Sequence, residues 1–98
     1  MFVILWEYEV KPGCVERFES VYGPQGDWAK LFQTDAHFRE TRLLTDTSRP
    51  RCYFTLDYWD SENSFLEFKA AQAAAYAALD QATDGLTLSE RRLAAFSL

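Results

Sequence analysis

Residues 2 to 10, FVILWEYEV, restrict the architecture of this chain more than any other stretch. Phe2, Ile4, Trp6, Tyr8 and Val10 alternate with Val3, Leu5, Glu7 and Glu9, the period-two pattern of a strand with one strongly apolar face. A strand of this kind must lay that face on another layer. Lys11-Pro12-Gly13 ends it, and from Val15 the apolar residues Val15, Phe18, Val21 and Tyr22 recur at helical spacing, with Glu16, Arg17 and Glu19 left for water. Gly23-Pro24 interrupts that helix. Asp27 is placed to cap a second short helix carrying Trp28, Leu31 and Phe32.

The second half has similar grammar. HFRETRLLT, residues 37 to 45, is rich in Thr and aliphatic residues and reads as a strand; DTSRP supplies turn chemistry before a third strand, RCYFTLDYW, and the two are close enough to pair as a hairpin. Asp60 or Ser61 caps the next helix, predicted from Ser61 to Ala82, with Phe65, Phe68, Gln72, Tyr76 and Leu79 along one stripe. Its alanine run, Ala70 to Ala78, favours helix and lets another backbone approach closely. After Asp84-Gly85 a last strand runs roughly from Ser89 to Phe96.

The order strand, helix, strand, strand, helix, strand predicts a ferredoxin-like α+β sandwich, with both helices on one face of a four-stranded antiparallel sheet. The 98 residues fit one such domain, spanning 1 to 98. The sheet's other face would carry Val3 and Leu5 and, if Trp59 points toward the helices, Phe54, Leu56 and Tyr58. Two copies packed sheet to sheet would cover it, so a homodimer is expected. Composition agrees: 48% of residues are hydrophobic and 16% aromatic, more apolar material than one small layer pair needs.

Charge excludes some partners. A formal net charge of -5 with no basic run or stripe works against nucleic acid and anionic membrane surfaces. Cys14 and Cys52 stand far apart outside any metal-binding pattern, and two reduced thiols are expected. The apolar start lacks a basic leader region, is too short to span a bilayer, and contains Glu7 and Glu9; a cytoplasmic protein is expected.

The combination VILWEYEVKPG, RFESVYGPQGDWAKLF, TRLLTD, YFTLDYWDSENSF and ERRLAAF resembles the antibiotic-biosynthesis-monooxygenase-like group of dimeric α+β barrel proteins over nearly the whole chain. The resemblance implies a ferredoxin-like protomer, a barrel-forming dimer, and a pocket between sheet and helices in each subunit. It also implies a choice of chemistry, because the group includes cofactor-free monooxygenases of polycyclic phenols, haem-degrading enzymes and proteins without known activity. The haem-degrading pattern resembles an Asn on the first strand, a Trp ending the third and a His on the second long helix. Only Trp59 answers it; the first-strand position falls near Trp6, and no His lies between Ser61 and Ala82, although Tyr76 is an alternative iron ligand in principle.

The cofactor-free reading asks for a base, a dry pocket and orientation, so that a phenol or anthrone-type compound loses a proton and passes an electron to dioxygen. It requires no metal and no cofactor. Trp6, Trp28, Phe32, Trp59, Phe65 and Tyr76 are the candidate pocket residues, with ordinary core packing as their plainer role. Asp57 lies two residues before Trp59, hence on the same strand face, where burial would make it a usable base; a solvated or salt-bridged carboxylate is the alternative. His37 is the second candidate catalytic residue, since its reference pKa of ~6.5 suits proton transfer, against the plainer role of a surface group. Three functions stay open: an oxygenase on a small hydrophobic aromatic compound, a non-catalytic ligand-binding or structural dimer, and an isomerase on the same fold.

Overall fold

The apolar alternation of residues 2 to 10 places that segment at the centre of the sheet, where it pairs on both sides. The computed structural model describes residues 1 to 98. Its elements are β1 (Phe2–Val10), α1 (Val15–Tyr22), α2 (Asp27–Phe32), β2 (Phe38–Thr45), β3 (Cys52–Trp59), α3 (Glu62–Ala71), α4 (Ala73–Thr83), a 3-10 turn (Asp84–Leu86) and β4 (Thr87–Ser97). The strands form one antiparallel sheet in the order β2-β3-β1-β4, the ferredoxin-like arrangement.

Register decides which side chains meet. β1 opposes β3 with Ile4 across from Asp57, Trp6 from Thr55 and Tyr8 from Tyr53, so these residues share the face that carries the helices. Trp59, at the end of β3, is 0% exposed and lies edge-on to Phe32, Phe38 and Phe65, at centroid distances of 5.5, 5.2 and 5.5 Å. Burying an aromatic ring of this size contributes the largest apolar term any single residue offers, and edge-on pairs add roughly 0.5–1.5 kcal/mol beyond the area term.

The opposite face of the sheet has no layer over it. Val3 pairs with Tyr58 and Phe96, Leu5 with Leu56 and Ala94, and Leu44 with Phe54. Leu44 and Phe96 are 44% and 47% exposed, and Leu5, Phe54, Leu56 and Tyr58 are half-buried.

Three local expectations are corrected. Asp27 does not cap α2: Gly26 occupies that position with no side-chain cap, and Asp27 sits in the first turn, where its charge suits the helix dipole. The predicted helix from Ser61 to Ala82 is two helices, because Gln72 leaves helical geometry at φ -110°, ψ 27°; α4 is thereby free to settle over Trp28. Gln72 is exposed and not part of the apolar stripe. The alanines of α3 and α4 are exposed as well. Of the two capping candidates, Ser61 caps α3, as expected, accepting from the Ser64 backbone N–H at 3.1 Å.

Two glycines meet geometric demands. Gly13 turns the chain out of β1 at φ +84°, in the left-handed region that favours glycine. Gly26 adopts an extended φ but packs against the end of α1, where a Cβ would fall 2.4 Å from the Val21 carbonyl oxygen and 2.5 Å from that of Ser20. Because backbone atoms cannot yield as a side-chain tip can, Gly26→Ala should destabilise the fold by about 1–3 kcal/mol. Thermal unfolding followed by circular dichroism would read that as a drop of several degrees, about 4–8 °C per kcal/mol for a domain this size; an unchanged midpoint would refute the packing account.

Candidate active site

The helix-facing side of the sheet is polar at its middle. Thr55 and Asp57 on β3 point inward among aromatic rings, and the register brings Thr41 of β2 directly opposite Asp57. Thr41 Oγ1 donates to Asp57 Oδ1 at 2.7 Å. No other hydrogen bond from the protein reaches the carboxyl, and Oδ2 is left without a partner. Thr55 Oγ1 shares a hydrogen bond with the Tyr8 hydroxyl at 3.1 Å.

Around these groups lies a cavity of about 200 Å³ between sheet and helices. Its walls include Trp6 and Tyr8 from β1, Tyr22 from α1, Trp28 and Phe32 from α2, and Tyr76 from α4. Trp28 is the hub of the roof, with ring centroids 5.9 Å from Phe32, 6.3 Å from Tyr22 and 5.0 Å from Tyr76. The break at Gln72 matters here, since it lets Tyr76 stand edge-on against Trp28. Lys69, Asp80 and Glu90 complete the lining.

Burial sets the protonation chemistry. Asp57 is 7% exposed, and desolvation pushes its pKa up to about 6 against the opposing hydrogen bond from Thr41. The wall tyrosines shift upward in the same way: burial, reinforced by the Asp57 charge, holds Tyr8 well above the usual phenol range and takes Tyr76 to about 12. At neutral pH the cavity therefore contains a carboxylate able to accept a proton and neutral phenols able to donate hydrogen bonds. The indole Nε1 of Trp28, like that of Trp59, is buried with no hydrogen-bond partner in the protein.

Of the residues singled out from sequence, the fold gathers Asp57, Trp6, Trp28, Phe32 and Tyr76 around one space. It leaves three outside. Trp59 and Phe65 are packed into the solid core next to the cavity, where Trp59 has neighbours on every side. His37 is exposed on the surface before β2, its Nδ1 3.0 Å from Asp60 Oδ2 in a cluster that Arg39 joins. Because His37 and Asp57 sit on different sides of the structure's exterior and interior, no relay between them is built. Tyr8, Tyr22, Thr41, Thr55, Lys69, Asp80 and Glu90 were not singled out; for Thr55 the signal was present, a polar residue two before Asp57 on an otherwise aromatic strand face.

No three His, Cys, Asp or Glu side chains converge as a metal site, both cysteines are free thiols, and no helix is long and apolar enough to cross a membrane.

A four-stranded ferredoxin-like sheet roofed by two pairs of short helices, with an aromatic cavity around one buried carboxyl, defines a small α+β protein with a ligand-sized interior site. The chain belongs to the antibiotic biosynthesis monooxygenase family, whose model matches residues 1–79. Among solved structures it is similar to SnoaB, a cofactor-independent oxygenase from Streptomyces nogalater, at 18% identity and a TM-score of 0.78, covering 99% of this chain and 91% of that one. A Deinococcus radiodurans protein described by the same family name matches at 11% identity and a TM-score of 0.76, over 100% and 92% of the two chains. A conserved protein of Methanosarcina mazei Go1 matches at 12% identity and 0.71, over 97% and 89%. No curated protein matches the sequence.

The raised pKa makes a stability prediction. Between pH 3.8, where Asp57 would ionise in the unfolded chain, and about 6, where it ionises in the folded one, the native state binds more protons, so its stability falls as pH rises. A shift of this size corresponds to a penalty on the order of 3 kcal/mol, fully present above pH 6 and absent below the unfolded value. Asp57→Asn keeps an acceptor for Thr41 and removes the charge. In urea unfolding, the variant should gain stability over wild type at pH 7.5 and lose that advantage at pH 4; equal differences at both pH values would contradict the burial argument.

Proposed function

We propose that the protein is a cofactor-independent monooxygenase acting on a small hydrophobic aromatic compound of phenolic or polyketide type, with Asp57 as the general base. The observation that carries this reading is a single buried, under-solvated carboxyl facing an aromatic cavity, with one oxygen unpaired. A base whose pKa lies close to the working pH is both ionised and basic enough to take a proton. Membership of the family and likeness in fold to an oxygenase that uses no cofactor support it.

In this scheme the aromatic walls seat the substrate ring, and Asp57 Oδ2 removes a proton from an acidic ring C–H₂ group. The resulting carbanion passes one electron to dioxygen, and the radical pair combines to a peroxide. Loss of water from the peroxide leaves a carbonyl: one oxygen atom enters the product and the other leaves as water with the two substrate hydrogens. Tyr8 and Tyr76, held neutral, contribute orientation and low polarity, which spares the carbanion from water.

Oxygen uptake with anthrone as the probe, without added metal or flavin, tests the reaction. Wild type should consume oxygen above the uncatalysed rate, with kcat/KM rising through a limb near pH 6, and Asp57→Asn should lose about 10²-fold or more. Uptake by Asp57→Asn at more than half the wild-type rate would rule out the assignment of the base.

The uncovered sheet face supports a second part of the proposal, a homodimer packed sheet to sheet through Leu5, Phe54, Leu56, Tyr58 and Phe96. Sedimentation at micromolar concentration should give a dimer for wild type and a monomer for Leu56→Lys, because the new cation stands beside Arg42, its cross-strand neighbour on β2, and brings like charges into the apolar contact. A monomeric wild type would remove this part.

A further inference from the structure

The charged groups at the cavity are unevenly matched. Asp57 lies inside, on β3; Asp80 of α4 and Glu90 of β4 line the mouth; Lys69 of α3 is the one cation. Lys69 makes no ion pair with any of the three carboxylates, and its Nζ stands 5.0 Å from the centroid of the Tyr76 ring. Asp80 and Glu90 have no ion-pair partner either. This contrasts with the sheet's other face, where Glu7 is held by both Arg49 and Arg91.

Strand register explains why the mouth is acidic. Glu90 opposes Tyr8 across the β1–β4 ladder, so it stands on the helix-facing side, directly beside the cavity wall. The turn at Asp84–Leu86 brings α4 back along β4, which sets Asp80 and Asp84 close to the same carboxylate. Partial desolvation and then repulsion by Asp80 and Asp84 raise the pKa of Glu90, as for a cluster of like charges lacking a counter-ion. Below them the walls are Trp6, Tyr8, Tyr22, Trp28 and Tyr76, ring faces of the kind that attract organic cations.

We propose that the cavity selects aromatic compounds bearing a basic amino group, with the ring held between Trp28 and the sheet and the ammonium at the mouth beside Asp80 and Glu90. This inference rests on the cavity being a ligand site, as the monooxygenase reading requires, and adds the charge of the ligand. An ammonium there supplies the missing counter-charge and leaves the reacting part of the ring free to face Asp57. A carboxylate in its place would meet two anions at the mouth and a third inside, with Lys69 the one cation of the lining and Arg92, across from Trp6 on β4, outside it.

Three phenols that differ in the charge of one side chain test the inference: tyramine, its neutral alcohol tyrosol, and the anion 3-(4-hydroxyphenyl)propionate. Isothermal titration calorimetry at pH 7.5 and low salt should give a Kd for tyramine about tenfold below that for tyrosol, with the anion weakest. The double variant Asp80→Asn, Glu90→Gln should erase most of that preference, read as the ratio of the two Kd values on the same protein, so that any change in the cavity common to both phenols cancels. Equal affinity for tyramine and tyrosol, or preference for the anion, would overturn the amine inference and leave the monooxygenase reading standing. Failure of all three probes to bind at millimolar concentration would overturn the cavity as a ligand site, and this inference with it.

Discussion

The layer of aromatic rings between the two central strands and the helices is the interaction on which everything else depends. At one end it is solid: Trp59 is enclosed by Phe32, Phe38, Phe65 and Phe68 at centroid distances of 5.0 to 5.5 Å. At the other end the rings of Trp6, Tyr8, Tyr22, Trp28 and Tyr76 stand around a space and do not fill it. Large, flat side chains favour edge-on and offset contacts over filling a space evenly, and at this end they leave a cavity of about 200 Å³. Phe32 belongs to both ends. It packs on Trp59 and also lines the cavity, so the solid end anchors the wall of the hollow one.

That division accounts for what could be read from the chain and what could not. The alternation in FVILWEYEV, the turn residues and the helical stripes specify the elements and their order, because periodicity acts within a few residues. Asp57 was legible for the same reason: an inward-facing carboxyl follows from its two-residue offset from Trp59 once the strand is known. Which aromatics form core and which form cavity was not legible, since Trp28 and Trp59 look alike in sequence and differ only in what stands across from them. The break at Gln72 had no signal, as neither glycine nor proline marks it. Asp80 and Glu90 meet only through the turn at Asp84–Leu86 and the β1–β4 register, relations that no local pattern carries.

His37 shows the opposite failure, where residue type misleads. Its intrinsic pKa draws attention, yet its ring is exposed and engaged by Asp60, which Arg39 also holds. Asp57, with an ordinary pKa far below neutrality, acquires a value near 6 because water is removed from it and only Thr41 offers a hydrogen bond. Position in the fold, more than chemical identity, decides which of the two groups faces the cavity.

Strand β3 ties the cavity to the bare face of the sheet. Its residues alternate between Tyr53, Thr55, Asp57 and Trp59 toward the helices and Phe54, Leu56 and Tyr58 away from them. A one-residue slip of register would therefore put Leu56 where the buried carboxyl stands and expose Asp57 on the apolar face, changing both surfaces at once. The aromatic layer opposes that slip, since Trp59 fits only on the helix side. The packing that makes the core solid is thus also what keeps the carboxyl in the cavity and the apolar residues on the face left free to associate.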